Sequence, residues 1–471
     1  MKKVVIIGGG PAGLTAGYAL MQAGVRCVVL EQDGQVGGHA RTVRYDGYLF
    51  DIGGHRFFTK IPEVQRIWRE VMQERFLRVR RLSRILYRGK FFQYPLKPFE
   101  ALSKLGLFES AWVVLSYARK KLFPLTPEDN LESWMSNRFG RRLFLMFFKA
   151  YTEKVWGLPC TEIRAEWAAQ RIKTLTLWRA VKSSLFPWGQ EEHRSLIEEF
   201  DYPEKGPGML WEKMASSLEA DGQQVLLERN VVGLRRTGFR IDAVIARHAE
   251  HDEVHAGTDF IASLPLPELI LGLDPPAPPE IQGHARALRY RDFITVAVMI
   301  RKPNLFPDNW IYIHTPEVQV GRIQNFRNWS AAMLPDTTTT CLGLEYFCNE
   351  GDQLWSRSDE QLQKLARHEV VKLGFASADD IFDATVVRQK KAYPVYDPAY
   401  RMHLDGLRDW LVQFENLQMV GRNGLHKYNN QDHAMLTALY AVRNILGEKL
   451  DVWGVNTEDE YHEVQATPTA E

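Results

Sequence analysis

A glycine-rich turn between two short apolar runs is the feature that most constrains this fold. Val4–Ile7 is a run of β-branched residues, typical of a buried parallel strand. Glycines follow at positions 8, 10 and 13, a helical pattern continues to about Ala23, and a second apolar run, Val28–Leu30, ends on Glu31. Strand, glycine turn, helix, strand and acid in this order predict a dinucleotide-binding α/β unit.

Each part of this unit has a physical role toward a dinucleotide. Gly8 permits the tight turn, Gly10 lets the backbone approach a pyrophosphate, and Gly13 lets the helix pack closely on the strand. The helix N-terminus offers unpaired N–H groups and a partial positive charge to the phosphates. Glu31 is predicted to accept hydrogen bonds from ribose hydroxyls. The alternative is an ordinary βαβ unit with a glycine-rich turn.

Composition narrows the class of protein. A chain of 471 residues with 45% hydrophobic residues indicates two to three domains, or one elaborated domain, with a large core. The net charge of +1 gives no reason to expect nucleic-acid binding. Four widely spaced cysteines argue against a disulfide framework and against a zinc or iron–sulfur site, and no metal site is predicted. Without a signal-peptide pattern, a cytoplasmic protein is the expectation.

The most membrane-like stretch is Leu105–Phe123. It carries Glu109 and three basic residues near its end, so it is a poor candidate for a spanning helix. A buried or amphipathic helix is predicted instead, and docking of this helix on a membrane surface is left open.

The chain returns several times to the nucleotide-binding domain. Residues 1–60, 201–280 and 415–450 are assigned to it, residues 61–200 to a mostly helical insertion, 281–414 to a sheet-based substrate domain, and 451–471 to a polar tail. Thr126-Pro127 is predicted to begin a helix of the insertion. The predicted fold class is therefore α/β, or α+β when the whole chain is considered, with a Rossmann-like domain built from discontinuous segments.

Two further glycine segments narrow the choice of cofactor. Gly37-Gly38 is followed by Arg41, and Gly421-Arg422 is followed by a helical pattern from Asn430. Together with the first turn, these segments resemble the FAD-binding fold of the amine oxidase and protoporphyrinogen oxidase superfamily. The resemblance covers nearly the whole chain and implies FAD as the cofactor. It implies these cofactor-binding residues: Gly8, Gly10, Pro11, Ala12, Gly13, Glu31, Gln32, Gly38, His39, Ala40, Arg41, Gly53, Gly54, His55, Val231, Gly421, Arg422, Asn430, Gln431 and Asp432.

Within that superfamily, several segments resemble UDP-galactopyranose mutases. The helix pattern from Phe148 to Gly157, with Tyr151 and Trp156, is similar to the mutase helix at the uridine and sugar pocket. Other similar segments are Gly53–His55 beside the flavin, Gly321–Phe326 with the diphosphate arginine Arg322, Tyr393-Pro394 at the sugar, and Gly421–Asp432 with Arg422 and the phosphate-binding Tyr428.

The chain also departs from the mutase pattern. Gly54 stands where the mutases have proline, and Asn430 replaces a carboxylate. A second phosphate arginine aligns at Arg171, or one residue away at Gln170. Asn430, Gln431 and Asp432 can equally serve as helix-capping residues. These departures suggest a mutase-like flavoenzyme acting on a different activated sugar.

The mutase resemblance implies a reaction without net redox change. Reduced flavin N5 would attack the anomeric carbon and displace UDP, and the adduct would open and reclose as the other ring form. His55, Arg322, Tyr393, Arg422 and Tyr428 would be catalytic. Tyr151, Trp156, Arg171, Arg322, Tyr393 and Tyr428 would bind the nucleotide sugar, which is the expected partner.

The sequence leaves alternatives open. An FAD-dependent oxidoreductase acting on an amine or another small organic substrate is the second hypothesis, and a flavin-binding scaffold without turnover is the third. NAD(P)H as the reductant and a homodimer as the assembly are left open.

Overall fold

The computed structural model describes residues 2–73, 75–165 and 198–456. The chain folds into two compact units. The first unit contains the described residues of Met1–Leu77, Asp201–Asp292 and Gln389–Thr457, and the second those of Arg78–Phe200 and Phe293–Arg388. Arg171 lies outside the described residues.

The strands of the described residues, in chain order, are β1 (Lys3–Ile7), β2 (Arg26–Leu30), β3 (Thr42–Tyr45), β4 (Tyr48–Asp51), β5 (Phe76–Arg80), β6 (Ser83–Tyr87), β7 (Lys90–Gln93), β8 (Glu199–Pro203), β9 (Gln224–Leu226), β10 (Asn230–Thr237), β11 (Arg240–His248), β12 (His251–Ala256), β13 (Asp259–Ala262), β14 (Leu273–Asp274), β15 (Tyr290–Ile300), β16 (Trp310–Ile313), β17 (Arg322–Asn325), β18 (Thr340–Cys348), β19 (Ile381–Pro394) and β20 (Leu417–Met419).

The α-helices of the described residues are α1 (Pro11–Gln22), α2 (Pro62–Met72), α3 (Pro98–Leu105), α4 (Leu107–Leu122), α5 (Leu131–Phe139), α6 (Arg141–Phe144), α7 (Ala150–Trp156), α8 (Gly208–Ala220), α9 (Leu266–Leu271), α10 (Pro279–Ala287), α11 (Asp359–Lys372), α12 (Tyr400–Leu411), α13 (Gly421–Gly424) and α14 (Gln431–Ile445). A π-helical turn, Leu145–Lys149, connects α6 to α7.

The first unit is built on a parallel sheet of order β20-β13-β1-β2-β9. Its strands come from distant parts of the chain, with Val4 opposite Asp259 and Phe260 opposite Leu417. Val4, Val5 and Ile6 are fully buried, as expected for a central parallel strand covered on both faces. The predicted Rossmann-like fold assembled from discontinuous segments is confirmed. A second sheet of this unit has the order β12-β11-β10-β14.

The second unit is organised by a sheet of order β19-β15-β18-β17-β16-β6-β7. Strand β18 is buried along its whole length, and α11 packs its Leu362, Ala366 and Val370 into the same apolar core. A separate aromatic-rich core contains Trp134, Phe144 and Phe147 from the helices of this unit. Helices α5 and α6 and the π-helical turn pack together in this core, and Trp156 of α7 packs against it.

Three local expectations differ from the structure. The stretch 61–200 is predicted to be mostly helical, and α2 to α7 occupy most of its described residues, but it also contains a hairpin that was not predicted. Arg88 and Gly89, both at positive φ, turn β6 into β7 and place both strands in the large sheet. The predicted helix start at Thr126-Pro127 is wrong, because Asn130 caps α5 by accepting a hydrogen bond from the Ser133 N–H. Val452, in the expected polar tail, is buried in the core of the first unit.

Within the described part of the chain, no helix combines the length and apolar character needed to cross a bilayer.

Candidate functional site

The glycine turn after β1 leaves no room for a side chain at Gly8 or Gly13. Gly8 has a φ of 102°, and a Cβ atom built on it would lie 2.2 Å from the Ser263 hydroxyl oxygen. A Cβ atom on Gly13 would lie 1.8 Å from the Gly8 carbonyl oxygen. Both positions therefore require glycine, for the turn and for close helix packing respectively. Pro11 and the buried Ala12 then open α1.

A second loop approaches the turn from Gly37, whose φ is 105°. A Cβ atom on Gly38 would lie 3.2 Å from the Gly10 Cα, and one on Gly10 would lie 3.7 Å from the Gly38 Cα. Two side-chain-free backbones thus face each other at the N-terminus of α1. Close glycine backbones at a helix N-terminus are the kind of arrangement that binds a pyrophosphate, and we call this arrangement the cradle.

Glu31 lies at the end of β2 and is 5% exposed. Its carboxylate accepts the Gly9 N–H at 2.6 Å and the Asp33 N–H at 2.9 Å. Burial raises the pKa of this carboxyl group above its ordinary value. Glu31 therefore fixes the glycine turn, and its predicted contact with ribose remains a prediction. The adjacent Gln32 is exposed.

His39, Arg41, His55 and Arg422 meet in the first unit, although Arg422 lies far from the other three in the sequence. Burial, followed by the charges of Arg422, Arg41 and nearby His55, lowers the pKa of His39 to about 3, so this imidazole is neutral at physiological pH. Arg41 donates from Nη1 to the Gly38 carbonyl at 2.8 Å and to the Gln389 side chain at 2.9 Å. These two hydrogen bonds hold the Arg41 guanidinium beside the Gly38 loop.

Arg422 lies beside two stacked tyrosines, each of which is predicted to contact substrate. The rings of Tyr393 and Tyr428 are stacked with centroids 5.6 Å apart, and the guanidinium lies 5.4 Å and 5.1 Å from them. Arg422 also donates to the carbonyls of Ala392 and Asn429, at 2.9 Å and 3.0 Å. Its orientation is therefore set by backbone acceptors as well as by the aromatic rings.

The last helix, α14, begins beside this group. Asn430 is its exposed N-cap residue, while Gln431 and Asp432 are 8% and 7% exposed. The Asp432 carboxylate accepts the His433 N–H at 2.9 Å. The side-chain oxygens of Gln431 and Asn423 are buried and have no hydrogen-bond partner among the described residues. Buried acceptors of this kind are suited to a polar ligand at the helix end.

The remaining predicted cofactor residues also lie in the first unit. Gly53 is buried at a φ of 88°, Gly54 is exposed, and His55 is partly buried. The 3-10 turn Gly38–Ala40 buries Ala40. Gly421 has a φ of 78°, and its Cβ atom would lie 3.1 Å from the Ala12 Cβ. Val231 is partly buried on β10.

In the second unit, Tyr151 belongs to an aromatic cluster. Its ring stacks on His314 with a centroid distance of 4.6 Å and an interplanar angle of 9°. Tyr312 meets Tyr151 edge-on at 5.6 Å, and Tyr94 packs against Tyr312 at 4.6 Å. Burial lowers the pKa of His314 to about 3 and raises that of Tyr151. Both groups are therefore neutral at physiological pH.

Arg322 lies on β17 next to this cluster and contributes to the electrostatic environment of Tyr151. Its Nε donates to the carboxylate of Glu345, which is fully buried on β18. Gln324 donates to the other oxygen of Glu345 at 2.8 Å. Burial raises the pKa of Glu345, while the Arg322 charge acts in the opposite direction. The predicted phosphate arginine is thus oriented by a buried acid.

Trp156 ends α7, is partly buried and packs against the aromatic-rich core. The sequence interpretation identified Tyr151 and Arg322 but missed Glu345, His314 and Tyr312. No local motif marks these three residues. Glu345 reaches Arg322 only because β17 and β18 pair antiparallel with these residues in register.

The residues of the first unit are suited to FAD. The Gly10–Gly38 cradle is suited to a pyrophosphate, and a polar ligand would satisfy the buried side-chain oxygens of Gln431 and Asn423. Arg41 and Arg422 supply positive charge beside the same group. Contacts with the ribose and the adenine remain predictions.

Comparisons with solved structures show the fold. A structure of reduced UDP-galactopyranose mutase superposes with a TM-score of 0.83, at 19% identity, over 97% of this chain and 98% of that chain. A putrescine oxidase bound to putrescine superposes with a TM-score of 0.61, at 15% identity, over 95% and 99% of the two chains.

Curated relatives match a shorter part of the sequence. Protoporphyrinogen oxidase 2 of Arabidopsis thaliana is 26% identical over 152 residues, which is 30% of each protein. L-amino acid oxidase Lm29 of Lachesis muta is 32% identical over 131 residues, covering 23% of this chain and 25% of that protein. The chain thus matches less than a third of the length of either relative.

The family model for flavin containing amine oxidoreductases matches residues 11–446. This match begins at Pro11, directly after Gly8 and Gly10, and includes the described residues of the second unit and the last helix, in agreement with a site suited to FAD. The chain belongs to the family of flavin containing amine oxidoreductases.

Proposed function

We propose that this flavoenzyme interconverts the pyranose and furanose forms of a nucleotide-activated sugar. The observation that carries the proposal is the group around Arg322: a partly buried guanidinium fixed by a buried acid, beside Tyr151, which stacks on the neutral His314. A guanidinium binds a diphosphate bidentately, and aromatic rings stack on a nucleobase. The superposition on a reduced UDP-galactopyranose mutase supports the same conclusion.

The chain's own residues divide the work of such a reaction. When bound, a reduced flavin supplies a nucleophilic nitrogen for attack on the anomeric carbon. Arg322 would hold the diphosphate as it leaves and returns, and Tyr151 and Trp156 would hold the uridine. Tyr393 and Tyr428 would donate hydroxyl hydrogen bonds to phosphate oxygens without adding charge. His55 and the neutral His39 would border the ring of the cofactor.

The family match and the curated relatives favour a second function, oxidation of an amine or another small organic molecule. Such a substrate is usually held in a mainly apolar pocket with few polar groups. The Arg322–Glu345 pair and the clustered tyrosines suit a phosphorylated ligand better. For this reason the mutase is the primary proposal and the oxidoreductase the alternative.

The test is to reduce the purified FAD-loaded protein without oxygen, using dithionite or NADPH, and to supply UDP-galactopyranose or UDP-galactofuranose. Chromatography should show interconversion by the reduced protein and none by the oxidised protein. The control reaction supplies L-amino acids or putrescine in air and measures hydrogen peroxide. Peroxide production without binding of any UDP-sugar would establish the oxidoreductase instead.

Replacing Arg322 gives a residue-level prediction. Arg322→Gln should weaken UDP binding by about 2–3 kcal/mol, because a charge-assisted hydrogen bond is lost, while FAD remains bound. Arg322→Lys should give an intermediate loss, since it keeps the charge without the planar fork. Calorimetric titration with UDP measures both effects.

The exposed Arg301, which directly follows β15, provides the matched control, and Arg301→Gln should bind UDP as the wild type does. Because Arg322→Gln leaves Glu345 buried without its cation, Arg322→Gln/Glu345→Gln separates a folding defect from a binding defect. Unchanged UDP affinity in the folded double variant would remove Arg322 from the site.

A further inference from the structure

Helix α4 presents a row of large apolar side chains to solvent. Phe108, Trp112, Leu115 and Leu122 are 90%, 59%, 58% and 74% exposed. Their spacing of four, three and seven residues puts them on one face of the helix. We call this set the apolar stripe. Leu107 and Phe123, at the two ends of the helix, are 90% and 70% exposed and extend the apolar surface.

The opposite face of α4 is fixed to the second unit, so the apolar stripe cannot turn inward. Val113 is fully buried. The Ser110 hydroxyl donates to the Leu102 carbonyl at 2.6 Å, and the Arg142 N–H donates to the Ser116 hydroxyl oxygen at 3.0 Å. A Cβ atom on Gly140 would lie 2.8 Å from the Tyr117 nitrogen, so the backbones are in close contact.

The C-terminal turn of α4 is strongly basic. Arg119, Lys120 and Lys121 follow one another there, and none has an acidic partner within the described ranges. Lys121 lies 5.5 Å from the Tyr117 ring. Glu109, the acid of this helix, is neutralised by Arg142 at 2.6 Å. In a chain of net charge +1, this turn is a local concentration of positive charge beside an apolar surface.

We propose that α4 is a membrane-docking helix whose apolar stripe lies in the headgroup region of an anionic phospholipid bilayer. An apolar face combined with basic residues is the pattern of helices that lie in the plane of a membrane interface. Long basic side chains reach back to the lipid headgroups, and tryptophan prefers this depth. Consecutive cations attract anionic lipids directly.

A second copy of the chain is the competing occupant. Protein interfaces are depleted in lysine, and two identical basic turns brought together would repel one another. An anionic bilayer instead complements both the charge and the apolar stripe. The charges of α4 therefore favour the lipid surface.

The experiment sediments the full-length, FAD-loaded protein with vesicles of phosphatidylcholine alone or of equal moles of phosphatidylcholine and phosphatidylglycerol. The wild type should bind the mixed vesicles and bind the neutral vesicles far more weakly. Arg119→Gln/Lys120→Gln/Lys121→Gln should lower partitioning into the mixed vesicles on the order of a hundredfold, since each cation near an anionic surface contributes roughly a factor of five. Phe108→Ser/Leu115→Ser should lower it at least comparably, because the inserted apolar area is lost.

Matched controls use exposed residues elsewhere. Lys205→Gln/Arg235→Gln/Lys364→Gln removes the same charge, and Met402→Ser/Val412→Ser removes apolar side chains that are 61% and 63% exposed. Both controls should bind vesicles as the wild type does. FAD absorbance and melting temperature must be unchanged in every variant.

Two outcomes would overturn the proposal. One is that Phe108→Ser/Leu115→Ser and the triple glutamine variant of the basic turn both bind mixed vesicles as tightly as the wild type. The other is that the wild type ignores both kinds of vesicle but sediments as a dimer that Phe108→Ser/Leu115→Ser dissociates, which would assign the apolar stripe to a second copy of the chain.

Discussion

At the scale of single residues, Gly13 is the position with the least tolerance in the glycine turn. A Cβ atom there would overlap the Gly8 carbonyl oxygen, at 1.8 Å, and would lie 3.2 Å from the Ile6 side chain. Gly13→Ala should therefore destabilise the fold on the order of 3 kcal/mol by overpacking. The variant should also retain less FAD, because α1 is pushed away from the turn. Urea unfolding and the flavin content of the purified protein measure the two effects.

Gly283 serves as the comparison for Gly13. It lies in α10, and a Cβ atom built on it would meet no atom within 4 Å. Gly283→Ala should be neutral or stabilising by about 0.5–1 kcal/mol, because alanine loses less backbone entropy in a helix. Equal stability losses in the two variants would contradict the packing role assigned to Gly13.

At the scale of elements, Lys154 connects helix α7 to the loop between β16 and β17. Its Nζ donates to the Thr315 carbonyl at 2.7 Å and lies 3.4 Å from the carbonyls of Ile313 and Val320. Burial lowers the pKa of Lys154 from 10.5 to about 8. Because this loop carries His314, Lys154 also helps to place the ring that stacks on Tyr151.

This connection predicts a specific pH dependence. The unfolded chain keeps the Lys154 proton up to pH 10.5 and the folded chain up to about pH 8, so stability should rise with pH across this window. Below about pH 8 the buried Lys154 amine is charged in the folded protein, and its desolvation lowers the free energy of unfolding by the full amount. Lys154→Met should lack this rise, which amounts to about 3 kcal/mol at most. Urea unfolding at several pH values measures the difference between the two proteins.

The exposed Lys364 on α11 provides the control for losing one positive charge. Lys364→Met should follow the wild-type profile. A Lys154→Met profile parallel to that of the wild type would show that Lys154 does not titrate in this window.

At the scale of the whole molecule, cofactor binding should be visible as folding stability. The turn after β1, the Gly38 loop and the start of α14 come from distant parts of the sequence and meet only in the folded chain. FAD should therefore bind the folded protein alone, and about 100 times its Kd should stabilise the apoprotein by about 2.7 kcal/mol. Thermal unfolding of the apoprotein with increasing FAD measures this shift.

Gly10→Val separates binding from folding. Gly10 does not need a positive φ, but a valine side chain would occupy the space between Gly10 and Gly38. The variant should fold as the apoprotein does and show no shift with FAD. If FAD stabilised Gly10→Val as much as it stabilises the wild type, the pyrophosphate would not bind at the cradle.

The sequence predicted the first unit well because its signals are local. A parallel strand, its glycine turn and the following helix lie within a few residues of one another, and steric exclusion at Gly8 and Gly13 acts over the same distance. The helix α14 is also predicted, since helical periodicity is a local pattern. The strands β6 and β7 were missed because surrounding helical patterns masked a short hairpin.

What the sequence determined by itself is therefore the class of the fold and the family resemblance. It also singled out individual arginines and tyrosines as candidate site residues, and their roles remain predictions. Only the tertiary structure brought Glu345 to Arg322, His314 to Tyr151 and Tyr393 to Tyr428. The physical reason is that strand pairing and helix packing set these contacts between residues that no local sequence pattern connects. Burial, which keeps His39 and His314 neutral, is likewise a property of the folded chain.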